Sequence, residues 1–381
     1  MSGGITVIVD NVKQVRQEWV DNLKGIAVMA VVAIHSGGGL PSILGKIVGI
    51  GSSGVQLFLI LSAYLTWVSY SRYLLRQPYN FKSNLTWFFK KIVRLAPSYY
   101  LSLAVCGFVQ GGIPYWLGTE HTISFTNMLF HVFFLHGFVP HYADSILGVE
   151  WYIGTLVIFY MLVPFIYGWF STLKRTIICL VPITVICCPL SRILAHISLN
   201  SNDAGVYSGY FGTFFIASQF TPLMLGILLY HITQSNILSG IIHKRVFSYM
   251  LLIVTAVILT GMAYASNTVV SVFQYAIFGM GYFLLCISQY IYFAYPVKLK
   301  MFHTIGSNSY QIYLFHNFFL WVYDLYITAS TGIFIVDWLI KYSVVISLSL
   351  IVSYFIQKYI ENPVVQFMNK EIDILLTNQK A

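Results

Sequence analysis

Lys24 and His35 are the residues whose type and spacing point most directly to chemistry. They lie eleven residues apart in EWVDNLKGIAVMAVVAIHSGG, a mainly apolar run that also carries Asp21. Eleven steps of about 100° nearly complete three helical turns, so the ammonium and the imidazole project from one face, separated by about 16 Å along the axis. One face can therefore hold both ends of a long ligand. A lysine snorkelling to an interface and a histidine bonded to a neighbouring helix produce the same spacing, so spacing alone leaves both readings open.

A second cluster, FFKKIVRLAPSYY, sets Lys91 and Arg94 on neighbouring turns of one helical face beside Lys90. Paired cations suit phosphates. A positive-inside anchor accounts for Lys90 and Lys91 but less well for Arg94, which lies deeper in the apolar run. Further along, Glu150 and Trp151 open GVEWYIGTLVIFYMLVP, and His316 sits in SYQIYLFHNFFL beside Tyr310, Tyr313 and Asn317. A carboxylate and an imidazole beside a cavity can bind sugar hydroxyls, although the 28 Tyr are also expected as interfacial belts. Cys106, Cys179, Cys187, Cys188 and Cys286 lie in or beside apolar runs without metal-type or paired spacing, so they read as packing residues and no metal is expected.

The elements that must carry these residues are membrane helices. Of 381 residues 58% are hydrophobic and 9% charged, against about 25% charged in a soluble domain. Blocks of the roughly 20 apolar residues that a spanning helix needs occur near 23–43, 47–70, 93–112, 151–171, 176–191, 211–231, 246–265, 270–293, 308–328 and 333–357. The expected fold is all-α: a polytopic bundle of about ten spans. The net charge of +9 is scattered over short segments at Lys13–Lys24, Arg72–Arg94, Lys174–Arg175, His243–Arg245, Lys298–Lys300 and Lys358–Lys370. That pattern sets orientation rather than binding nucleic acid. Ten spans place every basic segment and both termini in the cytoplasm, as the positive-inside rule requires.

A further block, Ile123–Phe138, is short and holds His131 and His136. Were it to span, every later basic loop would flip outward, so it is read as a re-entrant or interfacial helix on the non-cytoplasmic side. Non-helical backbone at membrane depth needs protein or a water-filled cavity around it. The ionisable residues inside spans are candidate site residues on the same ground of cost. The expected organisation is a cytoplasmic tail at 1–20, a transmembrane domain at 21–365 and a cytoplasmic tail at 366–381.

Taken together, these segments resemble acyltransferase family 3, membrane enzymes that O-acylate surface polysaccharides and related acceptors. DNLKGIAVMAVVAIH resembles the family's opening pattern, with Asp21, Lys24, Gly25 and His35 in place. GVQLFLILSAYL resembles its second-span pattern around Phe58 and Ser62, KKIVRLAPSYY its basic motif, SYQIYLFH its late motif, and ENP at Glu361–Pro363 its close. Two positions depart from the pattern: Ala63 stands where glycine is common, and Leu156 where many members carry an acid after the Trp. Glu150 does not inherit that acid's role by position.

The resemblance implies an O-acyltransferase, most often an O-acetyltransferase, in a bacterial cytoplasmic (inner) membrane. No cofactor is held permanently, and acyl-CoA, usually acetyl-CoA, enters as co-substrate from the cytoplasm. Lys24, Lys91 and Arg94 would bind its phosphates as charge-assisted donors. His35, with Asp21, would be catalytic, either as general base or through an acyl-imidazole. Ser62, Glu150, Trp151, Tyr313 and His316 would bind the acceptor, a glycan such as lipopolysaccharide O-antigen or its lipid-linked precursor. The expected partners are therefore acyl-CoA, the glycan and the bilayer. A lipid-linked glycan flippase or transporter also needs many spans, buried cations and aromatics, but needs no histidine at a fixed depth. A glycan polymerase would be expected to present larger polar loops.

Overall fold

The computed structural model describes residues 2–37, 40–112, 122–139, 142–199, 212–240, 245–265, 268–292, 300–327 and 330–377. All regular secondary structure among them is helical. The helices in chain order are α1 (Ser2–His35), α2 (Ser42–Gly49), α3 (Gly54–Leu74), α4 (Phe81–Ala104), α5 (Phe125–Val132), α6 (Trp151–Ile166), α7 (Leu173–Leu199) and α8 (Ile216–Gln234). They continue with α9 (Arg245–Tyr264), α10 (Thr268–Val272), α11 (Gln274–Tyr292), α12 (Lys300–Ser307), α13 (Ser309–Tyr326), α14 (Phe334–Ile356) and α15 (Asn362–Thr377). Part of the polar loop at Ser191–Gly209, together with His243 and Lys298, lies outside the described residues.

Each of the ten apolar blocks falls on a helix. Among the described residues seven stretches are long and apolar enough to cross a membrane: Ile43–Leu74, Phe81–Gln110, Leu173–Ile197, Gly212–Gln234, Arg245–Tyr264, Gln274–Tyr292 and Phe334–Leu375. The other three blocks fall short for a physical reason. α1 carries Asp21, Lys24 and His35, α13 carries Gln311, His316, Asn317 and Asp324, and α6 has only 16 residues. Polar residues and short length mark these helices as ones that face protein rather than lipid.

Burial sorts the bundle into a centre and a rim. The most apolar window of Gly212–Gln234 is 78% buried, whereas those of Leu173–Ile197 and Arg245–Tyr264 are 11% buried. α8 packs against α3, α7 and α11, and α3 also meets α1. α3 is buried on nearly all sides, including Leu57, Leu59, Ile60, Leu61 and Trp67, so it forms the hydrophobic axis of the centre.

α1 gains its place through α12, which lies against it at Gly25 and Gly306. A Cβ on Gly25 would stand 2.5 Å from the Phe302 carbonyl oxygen, closer than atoms can pack, so glycine after Lys24 lets the two backbones touch. α5 has 8 residues, which makes it about 12 Å long, well short of the roughly 30 Å hydrocarbon core. It ends in a tight turn at Phe133–Leu135 and a 3₁₀ turn at His136–Phe138.

Candidate active site

His35 ends α1, and His316 lies one turn or more inside α13. The packing of these helices brings residues 281 apart in sequence together: His35 Nδ1 and His316 Nε2 are 2.7 Å apart, with the two rings nearly parallel at 4°. The direction of this bond follows from its neighbour. His316 Nδ1 lies 2.7 Å from the Tyr313 carbonyl oxygen, which only accepts, so Nδ1 carries the hydrogen and donates it. In the neutral dyad His316 Nε2 is then an acceptor, and His35 Nδ1–H donates to it. That leaves the lone pair on His35 Nε2, the nitrogen suited to take a proton from a ligand.

His316 is buried, but the His35 ring is exposed to a cavity of about 360 Å³. Ser52, Ser53, Gln56, Asp144, Trp151 and Tyr313 are among the residues sharing its wall. The volume falls near the lower end of the roughly 300–1,000 Å³ typical of small-molecule sites. Trp151 stacks on Phe214 at 5.0 Å and 17°, giving the wall a rigid aromatic corner.

α13 also fixes the segment that roofs this cavity. Tyr313 donates its hydroxyl hydrogen to the Val149 carbonyl at 2.7 Å, and Asn317 Nδ2 donates to the Leu147 carbonyl at 3.0 Å. Gly148, between them, has φ +73°, a conformation that glycine tolerates best. One helix thus orients His35 through His316 and holds the 142–150 segment over it.

Glu150 lies behind that segment. Its carboxylate accepts the backbone N–H groups of Ile146 (2.6 Å), Leu147 (3.0 Å) and Val149 (3.1 Å), and pairs with His131 Nε2 at 3.3 Å. His131 Nδ1 faces the Asn127 carbonyl at 2.9 Å. His131 thus bridges the Asn127 carbonyl and the Glu150 carboxylate. His136 stacks on His131 at 4.5 Å, donates from Nε2 to the Glu150 carbonyl at 3.1 Å, and leaves Nδ1 to accept from Tyr99 at 3.3 Å. Every polar atom of this cluster has a protein partner, and Glu150 is not among the cavity-lining residues.

The basic residues gather elsewhere. Lys24 pairs with Asp21 at 3.2 Å, and His303 lies 3.7 Å from the same carboxylate. Arg94 lies within electrostatic range of Lys24, Lys91 and Tyr160, so three cations from α1 and α4 converge. Lys91 also stands over the rings of Trp87 (5.4 Å) and Tyr160 (5.7 Å). Among the described residues neither Lys91 nor Arg94 forms an ion pair, whereas Lys90 pairs outward with Asp373 at 2.5 Å. Lys91 and Arg94 thus stand beside Lys24 without a carboxylate partner among the described residues, which leaves a positive potential there.

Between the cations and the dyad lies a set of hydroxyls and rings. Ser62 and Tyr152 share a hydrogen bond of 2.7 Å, and Tyr152 meets Tyr313 edge-on at 5.4 Å, as does Phe58 at 5.9 Å. Glu361 of ENP takes hydrogen bonds from Ser98 and Gln311, tying α4 to α13. Gln56 and Asp144 were not singled out by sequence reading. A polar residue within an apolar run was the available signal for Gln56, and Asp144 lies in a segment without periodicity.

The pattern of acyltransferase family 3 (Acyltransferase domain) matches residues 17–358, and no curated protein or solved structure gives a match. That span begins within α1, shortly before Asp21, Lys24 and His35, takes in the His316 helix, and ends within the last long apolar helix region. A multi-pass helical membrane protein that carries this pattern over most of its length belongs to acyltransferase family 3.

Proposed function

We propose that this chain is an acyl-CoA-dependent O-acyltransferase, with acetyl as the group transferred, acting on a hydroxyl of a surface glycan such as lipopolysaccharide O-antigen or its lipid-linked precursor. The observation that carries the reading is the His35–His316 dyad, whose hydrogen-bond direction leaves a basic nitrogen at the cavity. The three converging cations on the same helix and its neighbour α4 supply the second half. They suit the phosphates of acyl-CoA on the cytoplasmic side, and Lys24 lies about 16 Å along α1 from His35.

In the reaction His35 Nε2 takes the proton of the acceptor hydroxyl as its oxygen attacks the thioester carbonyl. The carbonyl collapses, the C–S bond breaks, and His35 returns the proton to the departing CoA thiolate. His316 keeps the ring of His35 in the required tautomer, as the third, orienting group of a nucleophile–base–orienter arrangement does elsewhere. An acyl-imidazole on His35 is the alternative route through the same atom.

The test is acyl transfer from acetyl-labelled acetyl-CoA to glycan acceptors by purified protein in lipid nanodiscs. Label should appear in the glycan with the wild-type chain and not with His35→Ala. Wild-type protein that binds glycan but never consumes acetyl-CoA would point to the transporter reading.

A further inference from the structure

A second hollow borders the His35 cavity and differs from it in kind. It is a groove of about 340 Å³ between α1, α2, α9 and α11, with Ala30, Ala33, Ile47, Val48, Ala256 and Leu259 in its wall. Its two polar side chains already have partners. Thr260 donates to the Ala256 carbonyl at 2.6 Å, and the Tyr282 hydroxyl shares a hydrogen bond of 2.9 Å with Ser53. The groove therefore offers an occupant apolar contact alone. Ile47 and Ala256 are exposed, and α9 belongs to the rim of the bundle, so the groove opens where lipid chains lie.

One stretch of chain runs past both hollows. Ile47, Val48, Ile50 and Gly51 line the groove, and Ser52 and Ser53, which end the 3₁₀ turn Ile50–Ser53, line the cavity. α1 is shared in the same way: Ala30 and Ala33 line the groove, and Val31, Ile34 and His35 line the cavity. Ala33 and His35 are only about 3 Å apart along the helix axis. A Cβ on Gly51 would stand 2.2 Å from the Ala30 carbonyl oxygen, so turn and helix meet backbone to backbone. That contact and the Ser53–Tyr282 bond divide an apolar hollow from a polar one.

Lys46 opens the same stretch. It is exposed, its Nζ lies 4.7 Å over the Tyr264 ring, and among the described residues it forms no ion pair. On the topology expected from the basic segments it falls on the non-cytoplasmic side, where the positive-inside rule leaves few cations. Orientation therefore does not account for it. A cation at the end of an apolar groove suits the phosphate of a lipid whose chain fills that groove.

We infer that the groove holds the apolar chain of a lipid-phosphate-linked sugar, with the phosphate at Lys46 and the sugar in the His35 cavity. The inference rests on the glycan-acceptor reading of that cavity and narrows it to the lipid-linked form. Chain, phosphate and sugar then meet, in order, an apolar wall, a lysine and a polar wall along residues 46–53. The chain anchors the acceptor, and His35 meets the hydroxyls of the sugar next to the phosphate.

The test uses purified full-length protein in phosphatidylglycerol–phosphatidylethanolamine nanodiscs without acyl-CoA. The probe is a polyprenyl diphosphate-linked N-acetylglucosamine with a photoreactive diazirine on its isoprenoid chain, and labelled peptides are mapped by mass spectrometry. Label should fall on residues 46–51 and 256–260. Ala256→Phe, which fills the groove, should remove it, whereas Val257→Phe, exposed on the same helix but outside the groove lining, should keep it. Lys46→Ala should raise the probe concentration for half-maximal labelling about tenfold, the loss of one charge-assisted contact, and Lys46→Arg should restore most of it. Label elsewhere, or label unchanged in Ala256→Phe, would overturn the inference. So would equal competition by added phosphatidylglycerol or by polyprenol without diphosphate and sugar, since the groove would then hold ordinary bilayer lipid. Labelling in the expected pattern by a protein that never consumes acetyl-CoA would overturn acyl transfer and leave the groove standing. Acetyl transfer to a water-soluble oligosaccharide at equal rates in wild type and Ala256→Phe, with no groove label, would do the reverse.

Discussion

Two histidine clusters lie in this molecule, and they differ in what their lone pairs have left to do. In the His131–His136–Glu150 cluster every ring nitrogen and carboxylate oxygen faces a partner. In the His35–His316 dyad three ring nitrogens are engaged and the fourth opens on a cavity. The same side chain is thus structural in one place and available for chemistry in the other. His131, His136 and His316 are all fully buried, whereas His35 is exposed at the cavity; it is the exposed ring that carries the unfilled valence.

The largest expected effect is on the open cluster. His35→Ala should lower acyl transfer per inserted molecule by about two to four orders of magnitude, the usual contribution of a general base. Membrane levels and melting temperature should stay near wild type, because His35 gives up one bond at the end of α1. Near-normal transfer by His35→Ala would remove the distinction between the clusters, and total loss in His316→Ala alone would move the base to α13.

The closed cluster should answer in stability instead. Glu150→Ala leaves His131 Nε2 and three backbone N–H groups without their acceptor in the interior, and each buried unsatisfied donor costs about 1–3 kcal/mol. Thermal unfolding in detergent should show this as a large drop in melting temperature with little folded protein recovered. A normally stable Glu150→Ala protein with only a raised acceptor KM would place that carboxylate in the acceptor site and blur the comparison.

The cation cluster lies between these extremes. Arg94→Ala and Lys91→Ala each remove a charge-assisted contact worth about 1.5–3 kcal/mol, so the acetyl-CoA KM should rise roughly ten- to hundredfold while the acceptor KM stays put. Lys90→Ala should do much less, because Lys90 already pairs with Asp373 at the surface and exposed pairs contribute about 0–1 kcal/mol. Unchanged donor KM in Arg94→Ala with poor insertion would return these residues to a purely topological role.

Much of this arrangement is legible in the sequence because it is periodic. The 3.6-residue repeat puts Lys24 and His35 on one face of α1, and apolar run length locates the helices. The cost of polar groups in lipid explains why the runs carrying Asp21, His35 and His316 turn out to be the less apolar helices. Periodicity gives a face but not the neighbour that covers it, so the His35–His316 bond across 281 residues was out of reach. The 142–150 segment has no period at all. Its conformation is set by bonds from Tyr313, Asn317 and Glu150, which is why Asp144 became visible only in three dimensions. Glu150 looked like a cavity carboxylate by type and position, and only its backbone partners show it turned away from the cavity.

The smallest expected effect is also the finest probe of the comparison. Tyr99 is fully buried, stacks on Phe134 at 4.9 Å and reaches His136 Nδ1 at 3.3 Å through its hydroxyl. Tyr99→Phe keeps the ring and removes that one bond. Single interhelical hydrogen bonds in membrane proteins are worth about 0.6 kcal/mol on average, so the melting temperature should fall slightly. Acyl transfer per folded molecule should remain at the wild-type rate, since the loss ends at a closed cluster with no lone pair at the cavity. Should Tyr99→Phe instead cut turnover tenfold or more at normal stability, the proton held by His131 and His136 would be coupled through the 142–150 segment to the dyad. The two clusters would then act as one network, and the distinction between filled and open valences would no longer separate structure from chemistry.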